Sequence, residues 1–299
     1  MVIHEKLFNK PGLSLERLQS FCLVVEKGGF KKAAGKRPYR QAQFSRQVAD
    51  LAKFFGSDLF IGRSNKLTPK GEKLSKVASA YFSDLERLME TSSDPIDLRI
   101  AAGESAFNHI VPRLLGGETK KLTRSVILLD RTSDASLEDI LNYKADLAIV
   151  GKSIRDNRVH SVRLKESPTI LIVSKEFNKN FYTENDIKRL SHNPTVLLSG
   201  EGSYRQAILD KFGRNQPNII MQAPSFEVVK TCVASGIGVS YIPEYCFTQA
   251  DSETLERHTP PLFQKVTREL FLIYRKNLPE ISEVFGKIVA SILRKFPAK

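Results

Sequence analysis

The segment from Lys31 to Ala49 contains the side chains of this 299-residue chain that are best suited to recognise another molecule. It carries glutamine, serine and arginine side chains, which can hydrogen-bond to the edges of bases in the major groove of DNA. It also contains six basic residues and no acidic residue, so any surface formed there is positively charged. Lysine and arginine beside such groups neutralise phosphates. The segment therefore predicts contact with double-stranded DNA.

Residue types that could support catalysis or metal binding do not occur at the spacings that these functions need. The five histidines form no HExxH motif, the three cysteines form no CxxC pair, and residues 199–203 do not form a GxSxG motif. The glycines at 236 and 238 lack the strand-first GxGxxG context of dinucleotide sites. An enzyme built on the later α/β part is a disfavoured alternative, and we expect no catalytic residues, no metal and no cofactor.

The positive charge is concentrated in the amino-terminal third. The chain has 46 Lys and Arg against 33 Asp and Glu, a formal net charge of +13. Residues 1–92 hold 17 of these bases and 9 of the acids, which leaves a net charge of +5 for the much longer remainder. The amino-terminal third is therefore the part expected to bind a polyanion.

Three helices must position the basic segment. Ser14 is a candidate N-cap for a first helix that ends at Gly28 and Gly29. A short helix follows from Phe30 to about Lys36 and stops before Pro38, and a third helix runs from Arg40 to Phe55. This arrangement is typical of a helix-turn-helix, and a basic helical hairpin of another globular protein is the alternative.

Two further elements follow. Residues 59–68 predict a small hairpin that carries Arg63 and Lys66, and Thr68 with Pro69 predicts the start of a helix that reaches about Thr91. The apolar stripe on that helix needs a partner, which favours pairing with a second copy of the chain. Residues 91–95 predict a linker.

From residue 96 onward, short apolar strands alternate with helical stretches. This pattern predicts an α/β architecture with a mostly parallel sheet. Helices are predicted at 105–115 and 226–234, and Gly236 and Gly238 predict a tight turn from helix to strand. The predicted strands are 98–102, 125–129, 147–150, 169–173, 195–198, 219–221, 239–242 and 270–274.

These motifs together resemble the LysR-type transcriptional regulators over nearly the whole chain. The amino-terminal motifs are similar to the winged helix-turn-helix of that family, and the later ones to its effector-binding domain. The residues that carry the resemblance are 15–21, 28–34, Gln41, 44–48, Leu51, 59–60, Arg63, 67–71, 98–100, Pro112, 146–150, 233–239 and 242–243.

The resemblance implies three parts. Residues 13–70 would form a winged helix-turn-helix, with the helix-turn-helix itself at about 30–49. Residues 71–94 would form a linker helix that dimerises. Residues 95–299 would form a two-lobed effector domain like periplasmic binding proteins, with lobe 1 at about 95–165 and 269–299 and lobe 2 at about 166–268. The chain would cross between the lobes near Lys165 and return near Arg268.

The resemblance also implies DNA-contacting residues. Gln41 and Gln43 would contact bases, and Ser45, Arg46 and Arg63 would contact phosphates. The remaining DNA-binding candidates are Arg40 and Lys66. Arg37 stands where the family usually has an apolar residue, and Arg40, Ala42 and Gln43 replace the commoner Ser-Pro-Ala, so base preference does not transfer from relatives.

An effector pocket is expected between the lobes. Hydroxyls and free helix N–H groups there suit a small carboxylate or a similar anion. The alternative for Ser105, Ser203 and Ser225 is that each only caps a helix. The residues implied for the pocket are Gly103, Glu104, Ser105, Thr132, Ser133, Gly202, Ser203, Ser225 and Phe226.

We therefore expect a sequence-specific DNA-binding regulator that responds to a small molecule by a shift between conformations and acts as a homodimer or homotetramer. The alternative is a sensor of the same fold whose degenerate helix-turn-helix works through protein contacts. Neither a signal peptide nor a run of about 18 apolar residues is found, so a cytoplasmic protein without a membrane partner is expected.

Overall fold

A computed structural model describes Leu7 and residues 10–62, 64–89, 94–200 and 202–296, with only the backbone at Pro38 and Asn180. The chain divides into two compact units, Met1–Thr91 and Ser92–Lys299. Arg63, most of the predicted linker and the predicted helix end at Thr91 lie outside the described residues. None of the described helices combines the length and hydropathy that a membrane crossing requires.

Three helices open the amino-terminal unit: α1 (Leu15–Glu26), α2 (Phe30–Ala34) and α3 (Pro38–Phe55). The predicted cap is confirmed, because the Ser14 hydroxyl accepts a hydrogen bond from the Arg17 N–H at 3.2 Å. The helices enclose an apolar core in which Phe21 and Leu51 are fully buried. This core fixes the angle at which α3 is presented.

The turn between α2 and α3 differs from the prediction in two places. α2 ends at Ala34 and not near Lys36, because Gly35 adopts a positive φ of 61° that a helix cannot continue. α3 begins at Pro38, two residues before the predicted start. Proline is favourable there because the first helical residue needs no N–H donor. Pro38 therefore opens the third helix.

The predicted hairpin is confirmed on the described residues. Phe60 and Leu67 form an antiparallel bridge, and the Ile61 N–H donates to the Lys66 carbonyl at 2.8 Å. Helix α4 (Pro69–Met89) follows directly. Gly71 lies so close to the hairpin that a Cβ built there would overlap the Leu59 carbonyl oxygen.

The carboxyl-terminal unit contains nine named strands and nine α-helices among its described residues, besides four short 3-10 helices. The helices are α5 (Glu104–His109), α6 (Val111–Leu114), α7 (Glu118–Lys121), α8 (Ser133–Leu141), α9 (Ile187–His192), α10 (Ser203–Phe212), α11 (Phe226–Ala234), α12 (Leu278–Ile281) and α13 (Glu283–Lys295). The strands are β1 (Ile96–Ala102), β2 (Thr123–Asp130), β3 (Leu147–Val150), β4 (Val159–Ser174), β5 (Pro194–Leu198), β6 (Asn218–Ala223), β7 (Ser240–Pro243), β8 (Leu255–His258) and β9 (Thr267–Arg275).

The sheet is mixed, so the prediction of a mostly parallel sheet is wrong. The seven-stranded sheet has the order β2-β1-β3-β9-β4-β7, with β8 on β4, and β5 pairs with β6 separately. The pairs β1–β2, β1–β3 and β5–β6 are parallel, whereas β9 is antiparallel to β3 and β4, and β4 is antiparallel to β7 and β8. β4 and β9 run in opposite directions because one leaves the first lobe and the other returns to it.

Each lobe is built around its own apolar packing, and the first lobe has a further apolar cluster that includes Ile140 and Ile273. One core lies among β1, β3 and α13 and includes Leu98 and Phe285, and the other lies among β4, β5 and α11 and includes Ile172 and Val229. β4 contributes to both cores, with Leu164 in the first. β9 pairs along its whole length with residues 159–168 of β4, with a register shift between residues 163 and 165. These two strands therefore join the lobes.

The helix predicted at 105–115 is instead two helices, α5 and α6, that meet at Ile110. Pro112 lies at the start of α6, and its ring nitrogen has no hydrogen to continue the bonding pattern of α5. The turn predicted at Gly236 and Gly238 is confirmed. Gly236 has a positive φ of 77°, and a Cβ on Gly238 would overlap the Pro194 carbonyl oxygen.

Candidate functional site

Helix α3 presents the predicted DNA-contacting side chains to solvent. Gln41, Gln43, Ser45 and Arg46 are all exposed, and Phe44 between them is buried in the core of the unit. Consecutive helical residues are about 100° apart, so the side chains at 41 and 43 leave the helix about 200° apart. The two glutamines therefore face different flanks of α3. Arg40 is also exposed, at the amino-terminal end of the helix.

Gln43 and Arg46 border a groove of about 580 Å³ between α1 and α3. Its other lining residues are Ser14, Glu16, Arg17, Tyr39, Ala42, Gln47 and Asp50. Tyr39 is 65% exposed, and the sequence does not predict it as a site residue. No local pattern indicates such a residue, because its exposure depends on the position of α3 against the core.

Gln47 serves to attach α3 to α1. Its Oε1 accepts from the Ser20 hydroxyl at 2.6 Å, and its Nε2 donates to Glu16 Oε1 at 2.7 Å. Arg17 and Asp50 add an ion pair of 3.3 Å between the same helices. These bonds hold the exposed face of α3 in one orientation, and they leave Gln41 and Gln43 available.

The basic segment keeps its charges free. None of the described cations between residues 31 and 49 forms an ion pair with another described residue. Arg37 precedes α3, is exposed and does not cap the helix with its side chain. On the hairpin, Lys66 is exposed. Arg63, the other predicted phosphate contact, lies outside the described residues.

In the carboxyl-terminal unit, two cavities lie next to each other between the lobes. The larger has a volume of about 590 Å³ and the smaller about 190 Å³, and both are lined by Ser133, Gly151 and Arg268. The walls of the larger one come from α8 on one lobe and from α10 on the other. We refer to the two cavities together as the interlobe cleft.

Six of the nine residues predicted for the effector pocket line this cleft. The smaller cavity is bordered by Gly103, Ser105, Thr132 and Ser133, and the larger by Ser133, Gly202 and Ser203. The other three predicted residues line neither cavity. Glu104 is exposed, while Ser225 and Phe226 are buried at the start of α11.

The capping alternative holds for one of the three serines. Ser225 Oγ accepts from the Val228 N–H at 3.3 Å and caps α11. Ser105 and Ser203 are inside the first turns of α5 and α10, where Gly103 and Gly202 hold the cap positions. The hydroxyls of Ser105 and Ser203 therefore do not cap these helices, and both line the cleft.

Arg205 and Arg268 also line the larger cavity, and neither was predicted as a site residue. The guanidinium of Arg268 lies over two aromatic rings, with its Cζ 5.8 Å from the Tyr204 ring centroid and 5.3 Å from that of Phe226. The only signal in the sequence was the expected return of the chain near Arg268.

The aromatic groups around the cleft are neutral. Burial raises the pKa of Tyr204 above its ordinary value, and its hydroxyl lies 3.0 Å from Thr169 Oγ1. Burial also raises the pKa of Tyr245, whose hydroxyl donates to Ser105 Oγ at 3.4 Å. This last bond connects the second lobe to a residue that lines the cleft. The described residues contain no group of three or more His, Cys, Asp and Glu side chains that could hold a metal ion.

Comparisons with known proteins match both units. Residues 15–72 match the family model for the bacterial regulatory helix-turn-helix protein, lysR family, and residues 97–290 match the LysR substrate binding domain. The chain is 26% identical over 242 residues to the HTH-type transcriptional activator CmpR of Synechocystis sp. This match covers 78% of this chain and 79% of that protein.

Solved structures show the same fold. A full-length OxyR variant from Pseudomonas aeruginosa has a TM-score of 0.65 at 17% identity and covers 95% of this chain and 94% of that one. Full-length CbnR complexed with its target DNA has a TM-score of 0.63 at 19% identity, with 95% and 100% covered.

Proposed function

Because the chain belongs to the LysR family of DNA-binding transcriptional regulators, which carry an effector-binding domain, we propose that α3 reads an operator and that the interlobe cleft binds the controlling small molecule. The observation that carries the proposed DNA contact is the exposed surface of α3 formed by residues 40, 41, 43, 45 and 46, a stretch that contains no acidic residue. Its amide groups are positioned by a buried core and its cations have no partners among the described residues.

The contacts are divided by chemistry. Gln41 and Gln43 lie on opposite flanks of α3, and both contact base edges. Glutamine suits this role because its amide can form a pair of hydrogen bonds with adenine. Ser45, Arg46 and Arg63 contact phosphates, and Arg40 and Lys66 add further positive charge beside the duplex. Each lost phosphate contact lowers the salt dependence of binding by about one unit of slope.

Fluorescence anisotropy tests this proposal. The wild-type chain is titrated with DNA from upstream of its own gene and with scrambled DNA of equal length, over a range of salt concentrations. We expect tighter binding to the upstream DNA at physiological salt. Arg46→Ala should weaken binding to both and reduce the salt slope by about one. Lys265→Gln, which removes an exposed charge from the other unit, should leave both quantities unchanged.

Gln43→Ala separates base reading from charge. Loss of a base contact should weaken binding to the upstream DNA by about 1–3 kcal/mol and leave the scrambled DNA unaffected. Equal, salt-sensitive binding of the wild-type chain to both DNAs would contradict sequence-specific recognition of the upstream DNA. No binding to either would support the sensor that acts through protein contacts.

In the cleft, we propose that the hydroxyls of Ser105, Thr132, Ser133 and Ser203 bind a small anionic effector. The N–H groups that follow Gly103 and Gly202 assist them, because helix amino termini favour negative charge. Binding changes the relative population of lobe arrangements, and through them the affinity for DNA. Anisotropy with and without the effector measures this coupling.

We also propose that the chain acts as a homodimer or homotetramer. Val77, Tyr81 and Leu88 on α4 are 66%, 45% and 65% exposed, and such an apolar stripe is stable in water when a second copy covers it. The effector domain exposes apolar pairs on two edge strands, Ile127–Leu128 on β2 and Ile220–Met221 on β6. Two separate self-association surfaces support the tetramer.

A further inference from the structure

We propose that the effector is a small organic dianion, with Arg205 and Arg268 each binding one of its acidic groups. The inference rests on the proposed function of the interlobe cleft and specifies the chemistry of its ligand. It is carried by the charges that line the larger cavity, and by which of them already have a partner in the protein.

The acidic side chains and one cation of the larger cavity are paired within the protein. Asp134 Oδ1 lies 2.6 Å from Lys152 Nζ, and Glu269 Oε1 lies 3.1 Å from Arg163 Nη1. Arg163 lies on β4 beside β9, so the Glu269 carboxylate is held at the joint between the lobes. Arg163 Nη1 also lies 3.2 Å from Glu166 Oε2, so this one cation serves two carboxylates. Both carboxylates that line the cavity, Asp134 and Glu269, therefore already have a cationic partner.

The two arginines of the cavity have no such compensation. No described residue forms a hydrogen bond or an ion pair with the guanidinium of Arg205 or with that of Arg268. The Nε atom of Arg205 is buried without an acceptor among the described residues. Both guanidinium groups line the cavity and carry positive charge that an anion bound in the cleft would compensate.

Arg268 is positioned for an anion. The rings of Tyr204 and Phe226 lie 5.8 Å and 5.3 Å from its Cζ, and they restrict the guanidinium by cation–π contact. Because Arg268 lines both cavities, its positive charge lies where the two cavities of the cleft meet. Arg205 lies in the first turn of α10, whose capping residue, Gly202, has no side chain to occupy the free N–H groups.

Together these features select the ligand by charge. A neutral ligand would leave two guanidinium groups uncompensated, and a cation would be repelled by both. A single carboxylate would compensate one. A cavity of about 590 Å³ has room for a small organic molecule that carries an acidic group at two positions.

The test uses the full chain and simple probes of graded charge. Malonate, succinate and glutarate serve as dianions of increasing length, succinamate as the monoanion, and succinamide as the neutral molecule of matched size. Binding is measured by isothermal titration calorimetry and by the shift in melting temperature at constant ionic strength. The proteins are the wild type, Arg205→Gln, Arg268→Gln and the charge-matched control Lys265→Gln.

We expect at least one of the dicarboxylates to bind the wild type and Lys265→Gln, more tightly than succinamate and with no detectable binding of succinamide. Each arginine variant should lose about tenfold or more in affinity for that dicarboxylate, since each removes one charge-assisted hydrogen-bonding group. Arg205→Lys and Arg268→Lys, which keep the charge, should recover part of the loss and show that the glutamine variants are not merely misfolded.

Three results would overturn the inference. They are binding of succinamide as tight as that of succinate, unchanged dicarboxylate affinity in either glutamine variant, and absence of binding by all three dicarboxylates at about 50 mM, a concentration far above ordinary effector affinities. DNA anisotropy on the same proteins separates this failure from failure of the proposed function. Wild-type operator affinity in the arginine variants would leave the DNA-binding regulator intact even if its ligand were not a dianion.

Discussion

The Nε2 atom of His109 lies 3.0 Å from Glu227 Oε1, and this bond joins the two lobes of the effector domain. His109 ends α5 in the first lobe, and its side chain is only 8% exposed. Glu227 is in the first turn of α11 in the second lobe, and the same Oε1 atom forms an ion pair with Lys230 Nζ at 3.0 Å. Any change in the angle between the lobes must therefore alter or break this contact.

The first prediction concerns pH. Burial lowers the pKa of His109, and nearby Lys230 lowers it further, while Glu227 and Asp251 partly oppose the shift. The folded protein then binds fewer protons than the unfolded chain, so the stabilisation is complete above the ordinary histidine pKa of about 6.5 and is lost as the pH falls below it. We expect the effector domain to melt at lower temperature at pH 5.5 than at pH 7.5.

His109→Gln keeps a donor for Glu227 and removes the titration, so its melting temperature should change less over the same pH range. Removal of the donor in His109→Ala should cost about 1 kcal/mol at pH 7.5. Identical pH profiles for the wild type and His109→Gln would show that other groups cause the dependence.

The second prediction concerns a buried ion pair. Asp146 is fully buried, and its carboxylate accepts from the Arg99 backbone N–H at 2.8 Å and from the guanidinium of the same residue at 2.8 and 3.1 Å. Asp146→Ala removes these acceptors and should lower the free energy of unfolding by about 3–5 kcal/mol.

Asp97→Ala is the matched control in urea denaturation. It breaks the exposed pair with Arg124 on the neighbouring strand, and exposed pairs contribute about 0–1 kcal/mol. Equal losses in the two variants would mean that burial does not decide the strength of these pairs.

The sequence predicted the elements whose pattern is local. Helix α11 has the predicted bounds, 226–234, and the Ser14 cap needs only the residues beside it. The first half of β4 was not predicted, because residues 159–168 are mostly polar and become a strand through pairing with β9. The strand β8 was missed for the same reason, since it exists through its pairing with β4.

The same distinction applies to the site. The exposed face of α3 follows from helical periodicity, and its basic character can be read directly from the sequence. The role of Arg205 and Arg268 cannot be read from the sequence, because it depends on which other charges around the cavity are already paired. Asp134 and Lys152 are 18 residues apart, and Arg163 and Glu269 are 106 apart. Only the tertiary structure shows that these pairs leave Arg205 and Arg268 without an ion-pair partner among the described residues.

The third prediction compares two helical glycines. Alanine is normally more stable than glycine inside a helix by about 1 kcal/mol. At Gly286 in α13 the nearest atom to an added Cβ is the Pro279 carbonyl oxygen at 3.5 Å, an ordinary contact, so Gly286→Ala should raise stability by up to about 1 kcal/mol.

At Gly71 in α4 the same change should be destabilising, because the new Cβ would overlap the Leu59 carbonyl oxygen of the hairpin backbone. We expect a loss of about 1–3 kcal/mol in the amino-terminal unit and weaker DNA binding. Thermal melts and anisotropy on the two variants measure both effects. A stabilised Gly71→Ala variant would contradict the close approach of α4 to the hairpin.

The last prediction concerns self-association through α4. An apolar groove of about 720 Å³ lies along this helix within the amino-terminal unit, and Leu15, Leu74, Val77 and Tyr81 are among its lining residues. A groove of this kind beside a 66% exposed valine is covered when a second α4 packs against it. Val77→Asp would place a carboxylate in that contact without a partner, at a cost of several kcal/mol, and we expect a large shift toward the monomer.

Light scattering coupled to size-exclusion chromatography measures the mass directly. Lys76→Asp introduces the same side chain one position earlier on the same helix, at an exposed residue outside the groove, and should retain the wild-type assembly. Because operators of dimeric proteins contain paired half-sites, the monomeric Val77→Asp variant should also lose affinity for the upstream DNA while keeping its α3 intact. A wild-type mass for Val77→Asp would show that this face of α4 is not part of the interface. The edge strands β2 and β6 would then be the surfaces left to mediate self-association.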